Sequence, residues 1–118
     1  MLSFEGKKVY LAAGATDMRK QINGLVTIVE SAFNLASGDN AVFVFCNRKR
    51  NRLKILMWGG DGFWLFFKRL EKGSFPWPGA RHEYETLTLS PEELDAFLSS
   101  TPVTRILKRD VVENKGSL

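Results

Sequence analysis

The chain has 118 residues, the length of one ordinary domain, and 44% of them are hydrophobic, enough for one real core. Seventeen Lys and Arg against thirteen Asp and Glu give a formal charge of +4, a lean towards nucleic acid or another polyanion. The composition excludes a disordered chain, the lone Cys46 excludes an internal disulfide, and no run approaches the roughly 20 apolar residues of a membrane helix.

Residues 9–13 form a short apolar run that ends at Gly14 and reads as a first strand. Thr16-Asp17 then offers a helix cap, and Met18, Ile22, Leu25, Val26, Val29 and Phe33 recur at helical spacing to about Leu35. Ser37-Gly38-Asp39-Asn40 closes that helix as a turn. Residues 41–46 are continuously apolar, which suits a strand buried on both faces. Leu53, Ile55 and Met57 alternate over residues 53–58, so a hairpin with the basic tip 47–52 is predicted. After the turn Gly59-Gly60-Asp61-Gly62, Phe63, Phe66, Phe67 and Leu70 fall at i, i+3, i+4 and i+7. Residues 63–67 fit a strand as well, but the charges of Lys68, Arg69, Glu71 and Lys72 favour a second helix capped by Asp61 and stopped by Gly73.

Phe75-Pro76-Trp77-Pro78-Gly79 is a rigid loop, because two prolines forbid both helix and central strand. Residues 83–89 alternate as a fourth strand, and Ser90-Pro91-Glu92-Glu93 is a capping box with Pro at the first helical position of a short third helix. The order β-α-β-β-α-β-α predicts an α+β fold: a mainly antiparallel sheet with helices on one face, in the manner of the ferredoxin-like arrangement. The expected organisation is one domain over residues 1–100 and a partly disordered C-terminal tail over 101–118. Residues 1–10 show no apolar h-region of a signal peptide, so a cytoplasmic protein is expected.

Charge is concentrated in the middle third. Residues 48–81 hold nine basic and two acidic side chains, a net +7, while the rest of the chain nets −3. Arg48, Lys49, Arg50, Arg52 and Lys54 lie within seven residues and would project together from a hairpin tip, where they could follow a phosphate backbone. A solvated, solubilising tip is the plainer reading of the same residues. Lys68, Arg69 and Lys72 form a second basic cluster. Phe75 and Trp77 beyond it could stack on bases, serve as an aromatic anchor for a partner, or plug the core.

The residues needed for chemistry are sparse. One histidine (His82) and one cysteine (Cys46) cannot build a four-ligand zinc site, and a nucleophile–histidine pair would have to use His82. Asp17, Asp39 and Asp61 are not tied into a metal cluster by any spacing. No catalytic residue, metal, cofactor, membrane contact or small-molecule substrate is therefore expected.

Several motifs in one order carry a family resemblance. Val9-Tyr10-Leu11-Ala12-Ala13-Gly14-Ala15-Thr16-Asp17-Met18-Arg19-Lys20, then Gly24-Leu25, open it. Phe43-Val44-Phe45-Cys46-Asn47-Arg48, Arg52-Leu53-Lys54, Trp58 with Asp61-Gly62, Phe67-Lys68-Arg69-Leu70-Glu71-Lys72-Gly73 and Phe75-Pro76-Trp77-Pro78 continue it. Over residues 8–98 the chain resembles the accessory TnpB-type, Orf2-like protein of the bacterial insertion-sequence group numbered sixty-six, distinct from the RNA-guided nucleases that share the TnpB name. The resemblance implies a non-enzymatic protein that assists transposition beside a separate transposase. Two readings follow. In one, Arg19, Lys20, Arg48, Lys49, Arg50, Arg52, Lys54, Lys68, Arg69 and Lys72 contact DNA with weak specificity. In the other, Phe75 and Trp77 dock on the transposase without DNA.

Overall fold

Residues 41–46, apolar at every position, are buried along their whole length because they lie inside a sheet covered on both faces. The computed structural model describes residues 4–37 and 40–99, and the backbone alone of 111–112. In chain order the elements are β1 (Lys8–Ala12), α1 (Ile22–Thr27) continued by a π-helical turn (Ile28–Ala32), β2 (Ala41–Cys46), β3 (Arg52–Trp58), β4 (Phe63–Arg69), β5 (Thr86–Leu89), α2 (Pro91–Leu98) and β6 (Val111–Val112). The strands lie in the order β4-β3-β2-β1-β5-β6. Among the described strands only the β1–β2 pair, joined through α1, is parallel, as a crossover connection allows.

The strand period of two sorts side chains into two cores. On one face Leu87, Leu11, Val44, Ile55 and Phe66 follow one another across five strands, and Leu94 and Phe97 of α2 cover them. On the other face Tyr10, Phe43, Leu56 and Leu65 form the matching row, with Tyr10 and Phe43 stacked at 5.6 Å; Leu25 of α1, Val29 of the π-helical turn and Phe33 just after it cover the row. The α+β class and mainly antiparallel sheet hold, but the expectation of helices on one face does not. A central strand apolar on both sides needs a lid on each.

The second predicted helix is a strand. Phe63–Arg69 pairs residue for residue with β3, from Trp58↔Phe63 to Arg52↔Arg69. The aromatic run satisfies both periodicities, and the free edge of β3 decides between them. A tight turn, closed by the Gly59 N–H donating to the Gly62 carbonyl at 2.7 Å, delivers the run to that edge. A strand there satisfies a whole row of backbone groups, whereas a short isolated helix is marginal. Without that helix the ferredoxin-like order does not form, and Asp61 stands in a hairpin turn rather than at a helix cap.

The first helix starts later than its periodicity suggests. Its N-cap is Gln21, and Asp17 caps no helix. Residues 14–20 instead fold over the end of β2, where the Thr16 N–H donates to the Cys46 carbonyl at 2.7 Å. Met18 still packs beside the α1 core, which accounts for its helical spacing. The helical stretch ends at Ala32, and Asn34, at φ 59°, turns the chain out of it. The capping box of α2 forms as read: Ser90 accepts from the Glu93 N–H at 3.1 Å and Glu93 accepts from the Ser90 N–H at 2.7 Å. The turn read at residues 37–40 falls in part on 38 and 39, and the C-terminal tail falls mostly on 100–110 and 113–118, all outside the described residues.

Candidate functional site

Two segments distant in sequence meet at one end of the sheet. The first is the β2–β3 tip. The Asn47 side-chain oxygen accepts from the backbone N–H groups of Asn51 (3.0 Å) and Arg52 (2.9 Å), and its amide donates to the Asn51 side chain at 2.8 Å. Arg50 sits at φ 62°, a left-handed conformation unusual for a non-glycine, and its carbonyl accepts from the Phe75 N–H at 2.7 Å. Arg48, Lys49 and Arg50 stand exposed on this held tip.

The second segment is the loop after β1. Gly14, at φ 77°, turns the chain, and its N–H donates to the Pro78 carbonyl at 2.9 Å. Lys54 reaches from β3 beneath this loop and donates to the carbonyls of Met18 and Lys20, both at 2.9 Å. Lys54 is only 6% exposed, so the reading that places it among the surface cations is corrected: its charge is spent on the loop. Arg19 extends into solvent and grips Asp17 bidentately, Nη2 to Oδ2 at 2.7 Å and Nε to Oδ1 at 3.0 Å. The hydrogen bonds from Arg19 hold the Asp17 carboxyl well below the usual carboxylate range.

Between loop and sheet lies a cleft of ≈ 700 Å³ bordered by Arg19, Gln21, Asn47 and Arg52, with Leu65 and Phe67 on its β4 side. A second cleft of ≈ 460 Å³ continues it between Thr16 and the tip residues Arg48 and Lys49, and Arg52 and Asp17 border both. Arg69 faces Arg52 across the β3–β4 pair and makes an exposed ion pair with Glu71 at 2.9 Å. The structure thus gathers Arg19, Arg48, Lys49, Arg52 and Arg69 at one end of the α1 face, with Arg50 on the adjoining tip. Lys20 is exposed on the loop itself, and Lys72 on the bend after β4. Lys68 points to the opposite face, where it donates to the Leu98 carbonyl at the end of α2.

The aromatic pair is elsewhere. Phe75 and Trp77 are each 3% exposed, and the Trp77 indole N–H donates to the Ala12 carbonyl at 3.0 Å while its ring meets Phe97 edge-on at 5.8 Å. Their reading as a contact surface is corrected: they are core, because the Pro-rich loop is drawn under α2. The exposed aromatics are Trp64 (57%), Phe67 (54%) and Tyr84. Helical spacing assigns Phe67 to a buried stripe. In a strand it shares the face of Arg69, two residues on, and that is the signal that finds it. Cys46 is fully buried and its thiol is pushed up to about 12 by loss of solvent. His82 is exposed, its Nδ1 3.2 Å from the Glu83 carbonyl. Neither borders the clefts.

Comparison with known proteins gives a consistent picture. A family model described as IS66 Orf2 like protein matches residues 7–108. The chain is 37% identical over 97 residues to the uncharacterized protein y4hO of Sinorhizobium fredii, covering 82% of this chain and 83% of that one. It is 32% identical over 106 residues to the uncharacterized protein y4jC of the same organism, covering 90% and 89%. No solved structure matches at a significant level.

Proposed function

The chain belongs to the IS66 Orf2-like family, and on that premise we propose that it assists transposition of its insertion sequence by binding DNA through the basic face of the loop and hairpin tip. The observation that supports this most is the convergence of Arg19, Arg48, Lys49 and Arg52 from two separate segments around connected clefts. Arg48, Lys49 and Arg52 are neighbours in sequence, but Arg19 reaches the cleft it shares with Arg52 only through the folding of the loop after β1. Arg is suited to the task, since its guanidinium meets phosphate bidentately. Such contacts position a protein on DNA without reading sequence, so weak specificity is expected. Arg69 and Lys72 extend the surface, Lys20 flanks it, and Lys68 faces away from it.

The test is a fluorescence-anisotropy titration against duplex and single-stranded DNA, including element-end sequence, at two salt concentrations. Salt-sensitive binding is expected, and replacing Arg48, Lys49 and Arg50 together by Ala should weaken it about tenfold or more and flatten the slope. Unchanged binding by that variant would remove the assignment. No binding of any DNA by the parent protein at low salt would favour a transposase-docking module instead. Its contact surface would then be the apolar groove between β4 and α2, lined by Leu53, Ile55, Phe66, Ala96 and Leu98, and bordered as well by Phe67, beside exposed Trp64.

A further inference from the structure

We infer that the cleft beside Phe67 is a seat for an unpaired base, so that the DNA recognised by the basic face is single-stranded or locally melted. This deepens the DNA-binding reading and rests on it.

Phe67 lies on β4 directly opposite Lys54, whose ammonium is 6.0 Å from the ring centroid, and two residues from Arg69 on the same face. More than half of the residue is open to solvent, although Lys54 and Phe45, its neighbours across the sheet in that row, are buried. A single exposed aromatic is ordinary. One that borders a cleft shared with Arg19 and Arg52 is a different case, because a flat apolar surface beside phosphate-binding cations is what single-stranded nucleic acid needs. At ≈ 700 Å³ the cleft has the size of a small-ligand site and can admit a nucleotide. Gln21 borders it too, and its side chain makes no capping bond to α1, so an amide is available for a base edge. The Asp17 carboxylate on the same border is matched by Arg19 and so does not by itself repel a phosphate.

In duplex DNA the base faces are stacked on one another, and a ring on the protein surface cannot reach them. Duplex could meet the exposed cations, Arg19 and Arg48 to Arg50 among them, but not the face of the Phe67 ring. An unpaired nucleotide could lay its base on Phe67 while the flanking phosphates meet Arg52 and the guanidinium N–H groups of Arg19 and Arg69 that Asp17 and Glu71 do not engage. Stacking tolerates any base, which fits a surface whose other contacts carry little sequence information.

The experiment titrates an oligo-dT strand and a duplex of equal length, at one salt concentration, with the parent protein, Phe67→Ala and Phe67→Leu. The parent should bind the single strand more tightly than the duplex. Phe67→Ala should lose about 5- to 100-fold on the single strand and change less than about twofold on the duplex. Phe67→Leu keeps apolar bulk but has no flat face, and it should lose affinity for the single strand as well. Because Phe67 is largely exposed, both variants should melt at the parent temperature, which is checked alongside. Single-strand binding that survives Phe67→Ala or Phe67→Leu, or an equal loss on both DNA forms, overturns the inference while leaving the basic face in place. A parent protein that binds neither form overturns the DNA-binding reading itself.

Discussion

At the scale of single residues, Lys54 and Glu85 carry more of the structure than their polar character suggests. Lys54 donates to two carbonyls of the loop that presents Arg19 and Lys20, and it does so nearly out of solvent. Lys54→Met would keep the stem against Phe67 but leave both carbonyls without their charged donor. A loss of about 2–3 kcal/mol in urea unfolding is expected, with faster amide exchange over residues 16–20. Glu85 is buried while Arg81 is largely exposed, and its carboxylate accepts from the Arg81 backbone N–H (2.6 Å) and guanidinium (2.8 Å). Those hydrogen bonds lower its pKa from the ordinary 4.5. A lowered native pKa contributes stability that is present above the unfolded value and lost as pH falls through the native one. Thermal melts at about pH 7 and about pH 3.5 should therefore differ less in Glu85→Gln than in the parent, and an unchanged difference would show that other groups govern acid unfolding.

At the scale of elements, the loop after β1 depends on a glycine and on its neighbour. Gly14 combines φ 77° with a place where an added Cβ would lie 2.9 Å from the Ala80 Cβ. Gly14→Ala should cost about 1 kcal/mol or more, read as a lower urea midpoint at unchanged slope. Strand β4 shows the opposite balance. Its aromatic run fits two structures and its charges favour the helix, yet the element is defined by the β3 edge it meets rather than by its own periodicity. The aromatic loop at Phe75 and Trp77 behaves likewise. Pro spacing makes it rigid, while the Ala12 carbonyl and Phe97 settle that it lies inside.

At the scale of the whole molecule, the sheet separates two surfaces by face. One end of the α1 face carries the cations, and the α2 face carries the apolar groove with Lys68 tied to Leu98. A net charge of +4 would attract DNA only weakly, but a local cluster raises the field where it is needed. Each phosphate that a variant no longer neutralises should reduce the salt slope by about 0.9 on duplex and about 0.7 on a single strand. The Arg48, Lys49 and Arg50 triple variant therefore measures how many tip residues touch DNA, not only whether they do.

Features that depend on neighbours along the chain were set by the amino-acid sequence alone. These are the β1 and β2–β3 runs, the α2 capping box, the basic tip and the ordered motifs that identify the family. Tertiary structure settled the rest. It chose strand over helix for Phe63–Arg69, because backbone pairing with β3 is a non-local gain that no window of residues contains. It put helices on both faces, since α1 and α2 each go to a row of apolar side chains assembled from four or five strands. It sorted equal-looking cations into surface and scaffold, turning Lys54 inward and Lys68 away, and left Phe67 in solvent while burying Phe75 and Trp77. A charge or an aromatic ring is legible in sequence, but the direction it faces is set by the sheet that carries it.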